Sequence, residues 1–507
     1  MPRRRAAPTP DPTPARPPRT EDAPEARSGL DPWAPAELPP PPTPRGLGWL
    51  AVVGPGVIVL GLSIGSGEFL LGPAAFVRYG LALLWVTAAA VLLQTVFNTE
   101  LMRYTLATGE PVATGFMRTP PSSAFWAWTY AILIVLQVGW PAWAANAAKA
   151  VFFLVARRLD GPADATVVHA IGVGTFLACV LVLLVGRRIE RTLEILNWIL
   201  VTCILGGFLA LALAFAAPET WAAAGAGLVA YDLRGGRFTL LPEGADFVLL
   251  GAVAGFAGAG GVMNLYLSNW ARDKGYGMGS VAGYIPAAIG GRKVPLAHTG
   301  FAFARTPEAM ARWRGWWRIV RADQWGVFFV GAIVGMVLPA LLYVTFIPAG
   351  TDIRGSAGAA LAYAIRDRGS PVLAGVVAFM GVWILFKTQL DVLEGTVRAI
   401  TDIVWTGSRR VRAWRGGDVR RVYYATLAVL VLWGIVALRL APPFVLLQIT
   451  ANAASVVFVV ASLHLLYVNT RLLPPELRPP TWRRLALVAT ALFYATFVTL
   501  SVRSLLG

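Results

Sequence analysis

The residues able to do chemistry are few, and most lie inside apolar text. Glu68 closes the run Gly65-Ser66-Gly67-Glu68, with long aliphatic stretches on both sides. A carboxyl in such a setting is costly to bury and usually marks function. The neighbouring glycines weaken a helix. Unwound backbone would leave carbonyls that join a carboxylate in a hard oxygen site, suited to magnesium, manganese or calcium. Burial disfavours the carboxylate and a bound cation favours it, so proton and cation would compete for Glu68. The rival role is a cap on a half-helix, stabilised by the helix dipole, and the two roles coexist. A second glycine-rich run, GAVAGFAGAGGVMNLYL, spans 251–267 and contains Gly258, Gly261, Met263 and Asn264. Asn264 offers an amide oxygen, as a ligand or as a helix cap on equal footing. The Met263 thioether reads as packing before it reads as a ligand. The candidate substrate or ion site is therefore Gly65, Ser66, Gly67, Glu68, Gly258, Gly261, Met263 and Asn264, with Glu68 and Asn264 as metal ligands.

Further along, Lys387, Asp391, Glu394 and Arg398 recur at steps of four, three and four and so share one helix face. They form either a self-neutralised ladder or a proton or ion path. Gln448 and Asn452 lie one turn apart. Asp391, Glu394, Gln389, Gln448 and Asn452 make up the expected secondary polar path. Gln137, Asn146 and Lys149 flank Pro141 and read as polar packing near a kink. Asn98, Glu100 and Asp323 read as helix-end residues. Two cysteines and three widely separated histidines argue against a disulfide framework and a zinc cluster. No nucleophile elbow, paired catalytic acids or phosphate-cradling glycine–lysine loop is present, so neither an enzyme nor an ATP-driven pump is expected. No cofactor is expected; a divalent cation enters as cargo.

These residues must be positioned by membrane helices. The chain of 507 residues is 56% hydrophobic and only 14% charged, and its mean hydropathy is +0.62. An ordinary soluble domain carries about a quarter charged residues. A helix needs about 20 apolar residues to cross a bilayer. Eleven stretches qualify, at roughly 48–78, 81–106, 124–156, 166–186, 192–216, 246–271, 323–347, 371–405, 421–440, 443–468 and 483–503. The first 45 residues are rich in proline and arginine, cannot bury a core, and read as a disordered tail. The net charge is +17, and the arginines crowd one set of connections, such as 187–191, 409–421 and 471–484. The positive-inside rule then places the N-terminus in the cytoplasm. Anionic lipid headgroups are the expected partner, with no nucleic acid; protein partners are left open. The segment 306–321, TPEAMARWRGWWRIVR, reads as a helix lying in the membrane interface.

The glycine clusters fall in the first and sixth stretches, corresponding positions if the first ten are two five-helix repeats. Five is odd, so the second repeat is inverted. Inverted repeats with a broken helix in each half point to a secondary transporter site. This pattern resembles the Nramp metal-ion transporters, which have the LeuT-type fold. Gly54-Pro55-Gly56 is similar to the opening of that family's first helix, and Asn264-Leu265-Tyr266-Leu267 to the text after its sixth-helix break. The resemblance covers about 46–503. It implies an all-α membrane protein of eleven helices, with helices 1 and 6 broken. The implied divisions are a tail (1–45), a first repeat (46–216), an extracytoplasmic loop (217–245), a second repeat (246–470) with a cytoplasmic connection (272–322), and a last helix with the C-terminus (471–507). The motifs also depart from the family. Its Asp-Pro-Gly-Asn falls on Gly65-Ser66-Gly67-Glu68, and its Met-Pro-His on Gly261-Val262-Met263, so the soft thioether is lost at that place and a harder cation is favoured. The expectation is a secondary active transporter of a divalent cation in a bacterial inner membrane, working by alternating access, with proton coupling an open alternative. A transporter of a small organic solute such as an amino acid is the rival.

Overall fold

The computed structural model describes residues 25, 27–184, 189–286, 295–414 and 417–506. Apolar runs fold into long helices because a bilayer offers backbone groups no water, and helices pair those groups within one segment. Among the described residues, ten helices are long and apolar enough to cross a membrane: α1 (Pro55–Tyr79), α2 (Leu81–Thr108), α3 (Ser123–Ala156), α4 (Pro162–Leu184), α5 (Arg191–Phe215), α7 (Pro307–Phe346), α8 (Pro371–Gly407), α9 (Val419–Ala437), α10 (Pro443–Arg471) and α11 (Thr481–Leu506). The expected stretch 246–271 is α6, split into Phe247–Phe256 and Val262–Lys274. Its halves are each too short to span alone. Outer faces carry bare aliphatic side chains, for example Val429, Leu432 and Val436 on α9, as a lipid-facing surface requires. The protein is a multi-pass membrane protein.

The interruption of α1 differs from the expected break. Chain Pro55–Ser63 is α-helical, Ile64–Leu71 is an eight-residue π-helix, and Gly72–Tyr79 is α-helical again. The Gly72 amide donates to the Gly67 carbonyl, five residues back. The glycines thus widen the helix without unwinding it. Gly67 has no room for a side chain, because a Cβ would collide with the Phe256 carbonyl at the end of the first half of α6. The two interruptions therefore pack directly on one another.

The tail and the long connections also differ from expectation. In the expected disordered tail, 1–45, the second part packs on the protein instead. Ala34–Pro35 pairs in parallel with Phe301–Ala302. Leu38 is buried, Arg312 Nη1 donates to the Leu38 carbonyl at 2.8 Å, and Trp316 Nε1 donates to the Pro39 carbonyl at 2.8 Å. Residues 1–24 and 26 lie outside the described residues. The segment 306–321 is the first part of α7, continuous through a second π-helical stretch, Ala322–Phe329. It faces protein: Trp313 and Trp316 are buried, and the Arg103 and Arg483 guanidinium groups lie over the Trp317 ring. The second half of α6 runs on to Lys274, so 272–322 is not one connection. The segment 217–245 contains a short helix, Pro218–Gly227, and a hairpin pairing Tyr231–Asp232 with Arg237–Phe238.

The strap formed by 27–41 ends on a buried ion pair. Glu110, just after α2, accepts from Arg118 Nε at 2.8 Å, from Trp33 Nε1 at 3.2 Å and from the Gly300 amide at 2.6 Å. Arg118 in turn donates to the Asp31 carbonyl at 2.9 Å. Burial works against the Glu110 charge, but Arg118 and the hydrogen bonds from Arg118, Tyr104 and Trp33 outweigh it and hold the carboxyl below its usual 4.5. Breaking one partner of such a pair costs about 3–5 kcal/mol. Glu110→Gln is thus expected to lower the thermal midpoint of the detergent-solubilised protein. The wild type's contribution from this carboxyl is complete above a pH of about 4.5 and lost as pH falls through the lower folded value. A pH series of melting curves on both proteins checks this: the gap between them should close at the acid end.

Candidate functional site

Glu68 lies in the π-helical stretch of α1 and is fully buried, 0% exposed. Its Oε1 accepts from the Ser63 hydroxyl, one turn back on the same helix. Its Oε2 is buried without a hydrogen-bond partner and lies against Gly335 of α7, where a Cβ would collide with it. An unpaired carboxylate oxygen in a dry interior is expensive, and it marks a place where a cation or proton belongs. Gly65 sits against the Thr388 side chain of α8 and Gly67 against α6, so these two glycines allow close packing. Ser66 lies in the same stretch, and its side chain is outside the described residues.

The α6 break is organised differently. Gly258, Gly260 and Gly261 have φ of +90°, +98° and +59°, a region that favours glycine. Every polar group named next is paired. The Ala257 carbonyl accepts from Gln94 of α2. The Gly260 carbonyl accepts from Gln137 Nε2 of α3 at 2.9 Å, and the Val262 amide donates to Gln137 Oε1 at 2.9 Å. The Gly260 amide donates to Asn264 Oδ1 at 2.8 Å. Asn264 Nδ2 donates to Asn98 Oδ1 at 2.8 Å and to Gln94 Oε1 at 3.2 Å. Asn264 Oδ1, expected as a metal ligand, thereby closes the break with one of its two lone pairs. No hydrogen bond joins Asn264 to Glu68. Met263 is fully buried in the apolar core, in keeping with packing.

The expected secondary path does not converge on Glu68 either. Asn452 Nδ2 donates to the Val248 carbonyl at 3.0 Å and to the Gln448 carbonyl at 3.0 Å, while its Oδ1 accepts from Ser501. It ties α10 to the start of α6 and to α11. Gln448 is half-buried beside it. Gln389 Oε1 accepts from the Ala144 amide at 3.2 Å, next to the Pro141 kink of α3. Glu394 accepts from Arg398 Nε at 2.6 Å and from Trp270 Nε1 at 2.9 Å. Asp391 meets Lys387 and Asn197. The sequence reading missed Gln94, Asn98 and Asn197 as site-forming residues. Gln94 and Asn98 are one turn apart in an apolar helix, the same signal that singled out Gln448 and Asn452. Among the described residues no group of three or more His, Cys, Asp or Glu side chains is placed to hold a metal ion.

No family model matches the chain, and a comparison with curated proteins gives no match. Among solved structures, the chain is similar to the Eremococcus coleocola manganese transporter in complex with an aromatic bis-isothiourea substituted compound. Identity is 15%, the alignment covers 92% of this chain and 90% of that one, and the TM-score is 0.57. A single-residue mutant of the same transporter gives 16% identity, coverage of 91% and 88%, and a TM-score of 0.59. The likeness shows the fold: this chain has the architecture of that transporter over nearly its whole length.

The geometry separates the roles of the two residues once paired as ligands. Asn264→Ala orphans the Gly260 amide and removes the hydrogen bonds to Gln94 and Asn98, at about 1–3 kcal/mol for each buried group left unsatisfied. Glu68→Gln removes a buried charge and keeps an acceptor for the Ser63 hydroxyl. The thermal midpoint should therefore fall markedly in the first variant and stay level or rise in the second, read by melting curves in one detergent.

Proposed function

We propose that this protein is a secondary transporter that moves a divalent metal cation across the membrane by alternating access, as a divergent relative of the Nramp transporters. The observation that carries the reading is Glu68: a fully buried carboxylate with a partnerless oxygen, set in the interrupted part of α1 in the fold of a manganese transporter. The π-helix keeps its carbonyls engaged and Asn264 spends one lone pair on the α6 break, so Glu68 is the principal ligand in this reading. A site with a single carboxylate suits a hard ion that keeps much of its water, as magnesium does, or manganese. The ion is cargo, and no resident cofactor enters the reading. Glu68 would take a proton when the ion leaves, because an isolated charge at mid-membrane is costly. The proposed setting is a bacterial inner membrane with the N-terminus in the cytoplasm, the orientation that the basic connections favour.

Alternating access asks α1 and α6 to move relative to the rest of the bundle while the ion site stays covered. The direct packing of Gly67 on the Phe256 carbonyl supports joint movement of these two interruptions. The test is manganese and magnesium uptake into proteoliposomes. Wild type should accumulate one or both, and Glu68→Gln should lower uptake by about 10-fold or more, the least expected for loss of a ligand. Uptake that survives intact in Glu68→Gln overturns the site. Binding of an amino acid but of neither metal, by calorimetry on the wild type, would transfer the reading to an organic solute.

A further inference from the structure

One charged group at mid-membrane has no part in the reading above. Lys387 lies midway along α8 and is 1% exposed. Its ammonium donates to Asp391 Oδ2, one turn along the same helix, and to Asn197 Oδ1 on α5. Asn197 Nδ2 donates to the same Asp391 oxygen at 3.3 Å and to the Leu193 carbonyl at 2.9 Å. The third wall is α1. A Cβ on Gly61 would collide with Asn197 and crowd Lys387 Nζ, and Thr388 Oγ1 lies 3.3 Å from the Gly61 carbonyl. The pair therefore belongs to the junction of α1, α5 and α8, and α1 can seat there because residue 61 is glycine.

The two charge pairs on α8 differ. In the lower pair, Glu394 and Arg398, each Glu394 oxygen has a partner, and arginine does not give up its proton in proteins. The upper pair is open in both respects. Asp391 Oδ1 is buried without a partner, and lysine is a base that can lose its proton when it leaves water. A purely structural ladder has no need of a vacant acceptor or a titratable donor.

We propose that Lys387, Asp391 and Asn197 form a proton-binding site whose occupancy controls the seating of α1. With the proton on Lys387 the junction is neutral and dry, and α1 packs on it through Gly61. When water reaches the junction, Lys387 passes its proton to that water, keeps the nitrogen lone pair, and the hydronium leaves. Asp391 retains its charge, so the junction now carries one net negative charge. In low dielectric that charge is costly, and it is relieved by keeping α1 apart until a proton returns to Lys387 from the other side. Proton release is thereby tied to displacement of α1, the helix that bears Glu68. In this respect the proposal rests on the transport reading, although proton binding itself does not.

Other ionisable groups on the elements around α8 include Glu68 on α1, Cys179 on α4, Glu194 on α5, Asp273 and Lys274 on α6, Tyr423 on α9 and Lys149 on α3. Glu194 is held by Lys274 and Arg191, Asp273 by Arg272 and Arg398, and Lys149 by Asp160. A Lys387→Arg variant isolates the effect of Lys387, since arginine keeps the charge but cannot release the proton.

The first measurement is hydrogen–deuterium exchange of the peptide covering 55–63 in the full-length protein, corrected for the intrinsic pH dependence of exchange, from about pH 6 to about pH 10. Wild-type protection should fall with rising pH by about tenfold, and Lys387→Arg should stay flat across the same range. A flat wild-type profile overturns the proposal whether or not any variant folds, as does the same fall in Lys387→Arg. The second measurement is manganese and proton flux in proteoliposomes. Lys387→Arg should bind manganese by calorimetry but transport it at less than about a tenth of the wild-type rate. Manganese transport at the wild-type rate in Lys387→Arg overturns the proposal. If wild type moves no manganese, the metal reading falls and the exchange profile alone decides the proton site.

Discussion

A bilayer supplies no hydrogen-bond partners, so every polar backbone group at membrane depth must be paired by the protein. The break in α6 is where this requirement weighs most. Five residues, 257–261, leave the helix there, and the amide side chains of Gln94, Gln137 and Asn264 restore the lost bonds. Those side chains come from α2, α3 and α6 itself, so closing one break fixes three helices relative to one another. Tyr494 on α11 extends the set, accepting from Gln94 Nε2 at 2.8 Å. The same requirement sets one lone pair of Asn264 Oδ1 to closing backbone.

In α1 the requirement is met without borrowed side chains. A π-helix moves each backbone bond one residue further along and keeps the carbonyls engaged. What it changes is the spacing and direction of side chains, and this brings Glu68 to face α7 at Gly335 with one oxygen unpaired. The two interruptions thus divide the work. In α6 the polar backbone is exposed and then sealed. In α1 the backbone stays sealed and the chemistry rests on a carboxylate. Of the four membrane-depth charges on α8, Glu394 has both oxygens matched, and Asp391 leaves one acceptor open beside α1.

Much of this was legible from the sequence. Apolar length located the helices, and the glycine runs at 65–67 and 251–267 located both interruptions. The charge spacing from 387 to 398 placed its residues on one face, with Lys387 and Asp391 paired as that spacing requires. What was not legible depends on partners distant in sequence. Glycines at 65 and 67 permit an unwound turn and a π-helix alike, and only contact with α6 and α8 chooses between them. The strap was hidden for another reason. Trp33 and Leu38 are single apolar residues in proline-rich text, and composition averages them away, although each finds a pocket made by residues more than seventy positions away. The Trp–Arg pattern of 306–321 suits a lipid headgroup layer as well as a protein face, and the arginines that settle it, Arg103 and Arg483, are on α2 and α11.

These contacts bear on how α1 can move. Its N-terminal end is held by three other elements. Asp323 of α7 accepts from the Gly54 amide at 2.9 Å and the Gly56 amide at 2.8 Å, the Tyr276 hydroxyl donates to the Val52 carbonyl at 2.8 Å, and Lys274 bridges to Glu194 beside Gly54. Its middle is held at Gly61 by the Lys387 cluster, and its π-helical stretch rests on α6, α7 and α8. Each hydrogen bond contributes only about 0.5–1.5 kcal/mol net, but all of them fail together if α1 tilts as a rigid rod. A helix seated in this way does not drift. It is held until charges beside it change, and Glu68, Asp323 and Lys387 are among the groups there whose charge a cation or a proton can change.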